Sequence, residues 1–337
     1  MSIAVALLLI LAVLVYVFFI KGQGSGGPNI FNPGPTVTFQ HPLTGEQLAQ
    51  EIISPLRVYG AMIDNIEAAW PPSGLTAAFL VIEAPVEAGL TRYLAFFSSD
   101  KPVDKIGPVR SMRPYFLDWI SEFDAMAVHV GGSPAALDKI ASSGAFHLNQ
   151  FYNGDYFWRA NGDRFAPHNV YTSTELLGQA VELAELRQRA PEMIYGLWPF
   201  RSEAATGVQK GIGVSLEFSA DFQARWDYNP TANLYGRFHV GEKDVDDKGE
   251  QLTARNVAIV LTDIKVLDAV GRRSVRTVGE GEAFVLQNGE KIAARWKKPS
   301  ESERLRFYNK QDQEIVFESG TTWIEVLSQA NQVKFVE

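Results

Sequence analysis

The chain of 337 residues contains no cysteine. It therefore has no disulfide, no cysteine nucleophile and no zinc site built from thiolates. The missing thiol also excludes a lipid anchor attached to an N-terminal cysteine. Histidine is scarce, with five residues, and the formal net charge is −8. Because a general nucleic-acid surface is basic overall, this acidic balance argues against a protein that binds nucleic acid along its surface.

A long apolar run is present near the N-terminus. Residues 3–20 (IAVALLLILAVLVYVFFI) contain no charged residue, proline or glycine. Since about 20 apolar residues in a helix span a bilayer core, we predict a single transmembrane anchor over residues 1–21. No basic residue precedes the run, which argues against a cleavable signal peptide. The glycine-rich stretch that follows predicts a flexible linker over residues 22–40. The N-terminal amine and Lys21 flank the run on opposite sides, so charge does not set its orientation.

The rest of the chain divides by pattern into two domains. Over residues 41–205, apolar β-prone runs alternate with helical segments at 46–53, 114–123, 135–142 and 174–189, which predicts an α/β domain with a mixed sheet. Over residues 206–337, short strand-like runs are separated by turns, and Asn288-Gly289 is a strong hairpin signal. This second pattern predicts a β-rich antiparallel C-terminal domain.

Charged and polar residues concentrate in segments 62–65 (MIDN), 83–92 (EAPVEAGLTR) and 105–113 (KIGPVRSMR). Guanidinium groups bind phosphate or carboxylate oxygens through paired hydrogen bonds. Carboxylates beside a bound phosphate are ligands for Mg²⁺, the candidate cofactor. We therefore predict an anion-binding site formed by the following residues: Asp64, Asn65, Glu83, Glu87, Arg92, Arg110, Ser111, Arg113 and His168.

An internal ion-pair network is the alternative interpretation of these residues. In it, Arg92 and Arg110 neutralise three carboxylates, because buried charges must be paired: Glu83, Glu87 and Asp118. His168 also has two interpretations, a general base or a loop histidine bonded to the backbone. No serine lies in a nucleophile elbow, and the sequence assigns no catalytic residue.

The same segments resemble the YerB-like lipoproteins, a bacterial family of unknown function. The resemblance extends through residues 42–45 (PLTG), 129–134 (HVGGSP) and 166–172 (APHNVYT), and the C-terminal part is similar through 229–237, 289–296 and 320–324. It implies a two-domain envelope protein at the cell membrane whose body is extracytoplasmic. The chain departs from the family pattern in lacking the lipidated cysteine, and the predicted transmembrane helix takes that role. The resemblance assigns no reaction.

Shorter strings are similar to the LytR-CpsA-Psr family, which transfers envelope polymers from a polyprenyl-pyrophosphate carrier. These strings are residues 64–65, 91–92, 108–111 and 123–132, in that order. This second resemblance implies that arginines bind a pyrophosphate and that acids hold a divalent cation.

Two hypotheses follow from the sequence. In the first, a membrane-anchored envelope protein binds an anionic cell-wall ligand or a protein partner. In the second, a metal-assisted transferase or hydrolase acts on polyprenyl-pyrophosphate-linked polymers. The first is favoured because the sequence shows no complete catalytic constellation.

Overall fold

Apolar β-prone runs form most of the secondary structure. The structure, a computed structural model, describes residues 39–53, 56–160, 162, 164–181, 197–201 and 207–336. The strands in chain order are β1 Phe39–Gln40, β2 Gln47–Leu48, β3 Val58–Asn65, β4 Leu80–Pro85, β5 Thr91–Ser98, β6 Met126–His129, β7 His147–Asn149, β8 Trp158–Arg159, β9 Val170–Tyr171, β10 Gly213–Ser219, β11 Phe222–Asn229, β12 Leu234–His239, β13 Glu242–Lys243, β14 Thr253–Ala254, β15 Asn256–Leu261, β16 Ile264–Val266, β17 Arg273–Val275, β18 Gly279–Gln287, β19 Glu290–Lys298, β20 Arg306–Tyr308, β21 Thr322–Leu327 and β22 Val333–Val336.

The helices are short and fewer. The α-helices in the described residues are α1 Pro114–Ser121, α2 Pro134–Ser143 and α3 Thr174–Val181. Short 3-10 helices occur at Glu67–Ala69, Leu75–Ala77, Glu87–Gly89, Gly154–Tyr156 and Ala330–Gln332.

A ten-stranded mixed sheet is the centre of the fold. Its order is β20-β19-β18-β15-β21-β4-β5-β3-β6-β7. Strands β15, β21 and β4 run parallel to one another, and so do β3, β6 and β7, while the remaining pairs are antiparallel. Strand β21 pairs with β4, so strands from both parts of the chain share one sheet. Phe39–Glu337 accordingly cluster as one compact unit.

A second, fully antiparallel sheet lies against one face of the first. It has the order β13-β12-β11-β10-β22, with β14 beside β12. Its inward residues Val214 and Trp226 pack with Val81 and Trp323 of the ten-stranded sheet. Helices α1 and α2 contribute to the hydrophobic core on the opposite face, where Phe116 packs with Met62 and Leu94. The fold is therefore layered, with apolar side chains buried on both faces of the central sheet.

The predicted mixed sheet and antiparallel β-rich part are both confirmed. Helices α1 and α2 lie where they were predicted, and Ser133 Oγ accepts the Ala136 N–H at the start of α2. The helix predicted at residues 46–53 was wrong. A hairpin of β1 and β2 forms instead, because His41 Nδ1 accepts the Leu43 and Thr44 N–H groups in a tight turn.

Three further predictions concern residues that the structure does not describe in full. The helix predicted at residues 174–189 begins as α3, and its part from residue 182 onward lies outside the described residues. The predicted domain division at residue 205 also lies outside them, as do the predicted anchor, residues 1–21, and most of the predicted linker, residues 22–40. Within residues 39–336 as described above, no helix is long and apolar enough to cross a membrane.

Candidate anion-binding site

Strands β3 and β5 place the predicted site residues on two faces of the central sheet. In this antiparallel pair, Asp64 lies opposite Arg92 and Asn65 lies opposite Thr91. Successive side chains in a strand point to opposite faces. Asp64 and Arg92 therefore share the face covered by α1 and α2, whereas Asn65 and Thr91 face the six-stranded sheet.

Arg110 reaches the first face because its loop continues the sheet beside β3. The Asp64 N–H donates to Pro108 O at 2.9 Å, and the Arg110 N–H donates to Met62 O at 2.8 Å. Arg110 Nε then lies 2.9 Å from Asp64 Oδ2. His168 Nδ1 lies 2.6 Å from the same oxygen of this buried carboxylate. Asp64 thus holds a cation and an imidazole together at the end of β3.

Arg113 and Arg92 both donate a hydrogen bond to the backbone carbonyl of Ser111. Arg92 Nη1 donates to Ser111 O at 2.6 Å, and Arg113 Nη1 donates to the same oxygen at 3.4 Å. Arg113 Nε and Nη2 each donate to one carboxylate oxygen of Glu87, both at 2.7 Å. We call Arg92, Arg110 and Arg113 the arginine cluster. It holds three guanidinium groups against two carboxylates, Asp64 and Glu87.

Arg92 carries the uncompensated charge in this cluster. Its side chain is buried, with 6% exposed, and its Nε has no hydrogen-bond acceptor within the described part of the chain. Burial and the neighbouring guanidinium groups of Arg113 and Arg110 lower its pKa to about 10, although Asp64 acts in the opposite direction. Burial opposes ionisation of Glu87, but the hydrogen bonds from Arg113 outweigh it and lower the Glu87 pKa. The arrangement favours a further negative charge beside Arg92.

The opposite face holds a second polar group, built around the fully buried Arg237 and Glu83. Arg237 Nη2 lies 2.5 Å from Glu83 Oε2, and another of its nitrogens pairs with Asp244. Asn65 and Thr91 both donate to Glu83 Oε1, at 3.1 and 2.5 Å. The guanidinium group also lies near three aromatic rings: Tyr93, Trp226 and Trp323. We call these polar residues, with Glu325, the buried network.

Glu325 lies beside Glu83 because β21 and β4 pair in register at these two residues. Burial and the adjacent Glu83 carboxyl raise the pKa of Glu325 well above its ordinary range. Its Oε1 accepts the Trp226 indole N–H at 2.7 Å. Its Oε2 has no hydrogen-bond partner among the described residues. Burial and the neighbouring carboxylate therefore favour the neutral form of Glu325.

Seven of the nine predicted site residues come together, and two do not. Asn65 and Glu83 belong to the buried network, separated from the arginine cluster by the sheet. The pairs of the alternative interpretation also differ from those in the structure. Glu83 pairs with Arg237 and Asp118 with Lys139, so only Glu87 has its partner within the cluster.

Sequence reasoning missed Arg237 and Glu325, which the fold brings to Glu83. Strand alternation could have separated Asn65 from Asp64, since these neighbours lie in one β-strand. Among the residues that the structure describes, no group of three or more metal-ligating side chains is present, and Mg²⁺ stays a prediction.

Comparisons with known proteins identify the family of this chain and a solved structure with the same fold. The family described as "Protein of unknown function (DUF3048) N-terminal domain" matches residues 43–187, and the corresponding C-terminal domain matches residues 214–324. The chain is 30% identical over 303 residues to "Putative lipoprotein YerB" of Bacillus subtilis strain 168, covering 88% of each chain. The chain therefore belongs to this family, and the predicted YerB-like resemblance is confirmed.

A solved structure shows the same fold. The crystal structure of YerB protein from Bacillus subtilis has a TM-score of 0.79 and 27% sequence identity, and the match covers 89% of this chain and 100% of that chain.

Proposed function

We propose that this chain is a single-pass membrane protein of the bacterial envelope whose extracytoplasmic body binds a phosphate-bearing cell-wall ligand at the arginine cluster. The apolar run at residues 3–20 supports the membrane anchor. The related chain of Bacillus subtilis is named "Putative lipoprotein YerB", which supports an outward-facing body. Protease added to intact cells tests the orientation, since a body protected until lysis would contradict it.

The charge imbalance around Arg92 carries the binding proposal. A buried cation is unfavourable unless an anion or several acceptors compensate it. Asp64 is already engaged by Arg110 and His168, and Glu87 is engaged by Arg113. Arg110 is part-exposed, and no described residue accepts from its two terminal nitrogens. A phosphate oxygen beside Arg92 would compensate its charge and accept from Arg110 at the same time.

Titration of the full-length protein with inorganic pyrophosphate by calorimetry tests this proposal. Arg110→Ala removes a charge-assisted hydrogen bond of roughly 1.5–3 kcal/mol, so we expect the affinity to fall by about 10- to 100-fold. Arg295→Ala is the matched control, because Arg295 is a half-exposed arginine paired with Asp312 in a different sheet region. Equal affinities of all three proteins, or no binding at all, would refute the site.

A second titration identifies the source of the phosphate. A short-chain polyprenyl pyrophosphate that binds more tightly than inorganic pyrophosphate would favour a lipid-linked ligand. The first hypothesis also allowed a protein partner in place of an anionic ligand. Such a partner would bind equally well to wild type and to Arg110→Ala.

One observation favours the enzymatic alternative as a second candidate function. His168 Nδ1 faces the buried Asp64 carboxylate at 2.6 Å, a contact that in a neutral imidazole favours the tautomer with the N–H on Nδ1 and a lone pair on Nε2. His168 Nε2 has no partner among the described residues, and the side chain is part-exposed beside Arg110. An imidazole in this arrangement can accept a proton from water or from an acceptor hydroxyl during transfer of a phosphate-linked polymer.

Incubation of the full-length protein with a saccharide linked to a short-chain polyprenyl pyrophosphate, together with Mg²⁺, tests the second candidate. We expect water to displace the lipid carrier, with release of the saccharide by wild type and a loss of two orders of magnitude or more, roughly, in His168→Gln. Binding of the same compound should persist in His168→Gln. Binding without turnover in wild type would leave the first proposal intact and remove the second.

A further inference from the structure

A short hairpin next to the arginine cluster presents apolar side chains to solvent. Strands β16 and β17 form a separate two-stranded sheet joined by residues 267–272. Val266, Leu267 and Val270 near its tip are exposed by 59%, 63% and 65%. Isolated exposed apolar residues are common. Three of them within five positions on one hairpin form a contiguous apolar patch, a feature typical of sites that bind a protein or a membrane.

The hairpin is fixed at its base and ordered at its tip. Ile264 packs against the hydrophobic core, and Val275 is buried within it. At the tip, Asp268 Oδ1 accepts the N–H groups of Val270 and Arg272, both at 3.1 Å, and the Leu267 N–H donates to Arg272 O at 2.7 Å. The apolar side chains are therefore held outward by a defined turn.

Charge around the tip differs in sign from that of the whole chain. Residues 263–276 contain four basic and two acidic side chains, whereas the full chain has a formal net charge of −8. Asp268 pairs with Arg272 and Asp263 pairs with Arg276, so the net positive charge of the segment comes from Lys265 and Arg273. Lys265 is exposed beside Val266, and Arg272 follows the turn. Apolar residues with flanking basic residues are the composition of protein segments that enter the interface of an anionic bilayer.

We propose that this hairpin tip inserts into the interface of the anionic lipid bilayer that anchors the chain. The apolar residues Val266, Leu267 and Val270 enter the acyl boundary, and Lys265 contacts lipid phosphates, while Arg272 remains paired with Asp268. The predicted linker of residues 22–40 extends to at most roughly 65 Å, so a chain anchored by residues 1–21 remains within reach of the bilayer. The inference rests on the membrane location proposed above, but not on ligand binding by the arginine cluster.

Insertion of the hairpin would also bring the arginine cluster to the membrane surface. Arg273 Nε donates to Val86 O at 3.1 Å, and Gly271 lies beside the backbone of Ala88. The intervening residue Glu87 is the partner of Arg113. The hairpin thus contacts the turn that holds one member of the cluster.

A single-cysteine labelling experiment tests the inserted hairpin directly, because the natural chain has no cysteine. Val270→Cys is labelled with an environment-sensitive fluorophore in the full-length protein. Val240→Cys is the matched control, since Val240 is a 73% exposed valine at the turn between β12 and β13, beside the acidic Glu242. Both proteins are reconstituted into vesicles of phosphatidylcholine and phosphatidylglycerol, with and without bromine on the acyl chains.

We expect a blue-shifted emission and bromine quenching several-fold stronger at position 270 than at position 240. Lys265→Gln in the Val270→Cys background should weaken the quenching, because it removes one contact with anionic lipid. Vesicle flotation separates this inference from the anchor. A protein that floats with the vesicles but shows equal, weak quenching at both positions overturns the hairpin proposal alone. A protein that does not float overturns both the anchor and the hairpin.

Discussion

Replacement of Glu325 by glutamine should stabilise the protein progressively as the pH rises. Glu325 is fully buried, and both burial and the Glu83 carboxyl raise its pKa well above the ordinary range. The folded protein therefore holds a proton on Glu325 that the unfolded chain releases above a pH of roughly 4.5. A glutamine side chain at this position has nearly the same shape and is neutral in both the folded and the unfolded state.

The sign and size of the effect follow from proton linkage. Between the unfolded and the folded pKa of Glu325, the native state binds one more proton than the unfolded state. The free energy of unfolding contributed by this group then falls by about 1.4 kcal/mol for each pH unit of increase. Glu325→Gln lacks this contribution, so from pH 5 upward its stability relative to wild type should rise by up to about 1.4 kcal/mol per pH unit, until Glu325 ionises in the folded protein.

Equilibrium urea unfolding of wild type and Glu325→Gln at several pH values measures this difference. Glu87→Gln is the control, because the Glu87 pKa is lowered by Arg113 against the opposing effect of burial. The stabilising effect of ionised Glu87 is complete above its unfolded pKa, so the Glu87→Gln difference should stay constant from pH 5 to pH 7. A Glu325→Gln difference that is equally constant would show that Glu325 is ionised, and the reasoning about the buried network would be wrong.

Three further substitutions test the described contacts by the same unfolding measurement. Ser133→Ala removes the side-chain acceptor of the Ala136 N–H at the start of α2, and should cost about 1 kcal/mol. Glu122→Gln leaves the buried Arg304 guanidinium without its carboxylate and should cost about 3–5 kcal/mol, so a loss below 1 kcal/mol, roughly, would contradict the ion pair. Burial lowers the pKa of His129 to about 4, so wild type should lose stability as the pH falls from 6.5 to 4, and His129→Asn should lose less over that interval.

Local patterns predicted much of the fold. The alternation of strands and helices predicted the mixed sheet, and Asn288-Gly289 predicted the hairpin of β18 and β19, where both residues have positive φ angles. These features depend on residues that are close together in the chain. The pairing of β21 with β4 depends on register between segments about 240 residues apart, which no local pattern specifies.

The sequence predicted only the part of the candidate site whose residues are close together in the chain. The sequence indicated the arginines correctly as a group, because their loop and strand positions lie within 22 residues of one another. It placed Asn65 and Glu83 with them because proximity along the chain was given more weight than the two-residue period of a strand. Arg237, which pairs with Glu83, lies 154 residues away, so its role became visible only in the folded chain.

The arginine cluster with its partner Asp64 and the buried network lie on opposite faces of the central sheet, and both include residues of strands β3 and β5. Thr91 donates to Glu83, and Asn65 donates to both of them, so the side chains of three neighbouring strands, β4, β5 and β3, are tied together at the core. The next residue after Thr91 is Arg92, and the residue before Asn65 is Asp64. Hydrogen bonds that hold Thr91 and Asn65 in register therefore also fix the backbone from which Arg92 and Asp64 project. Because a binding site requires side chains held by their surroundings, the buried network supplies rigidity to the arginine cluster across the sheet.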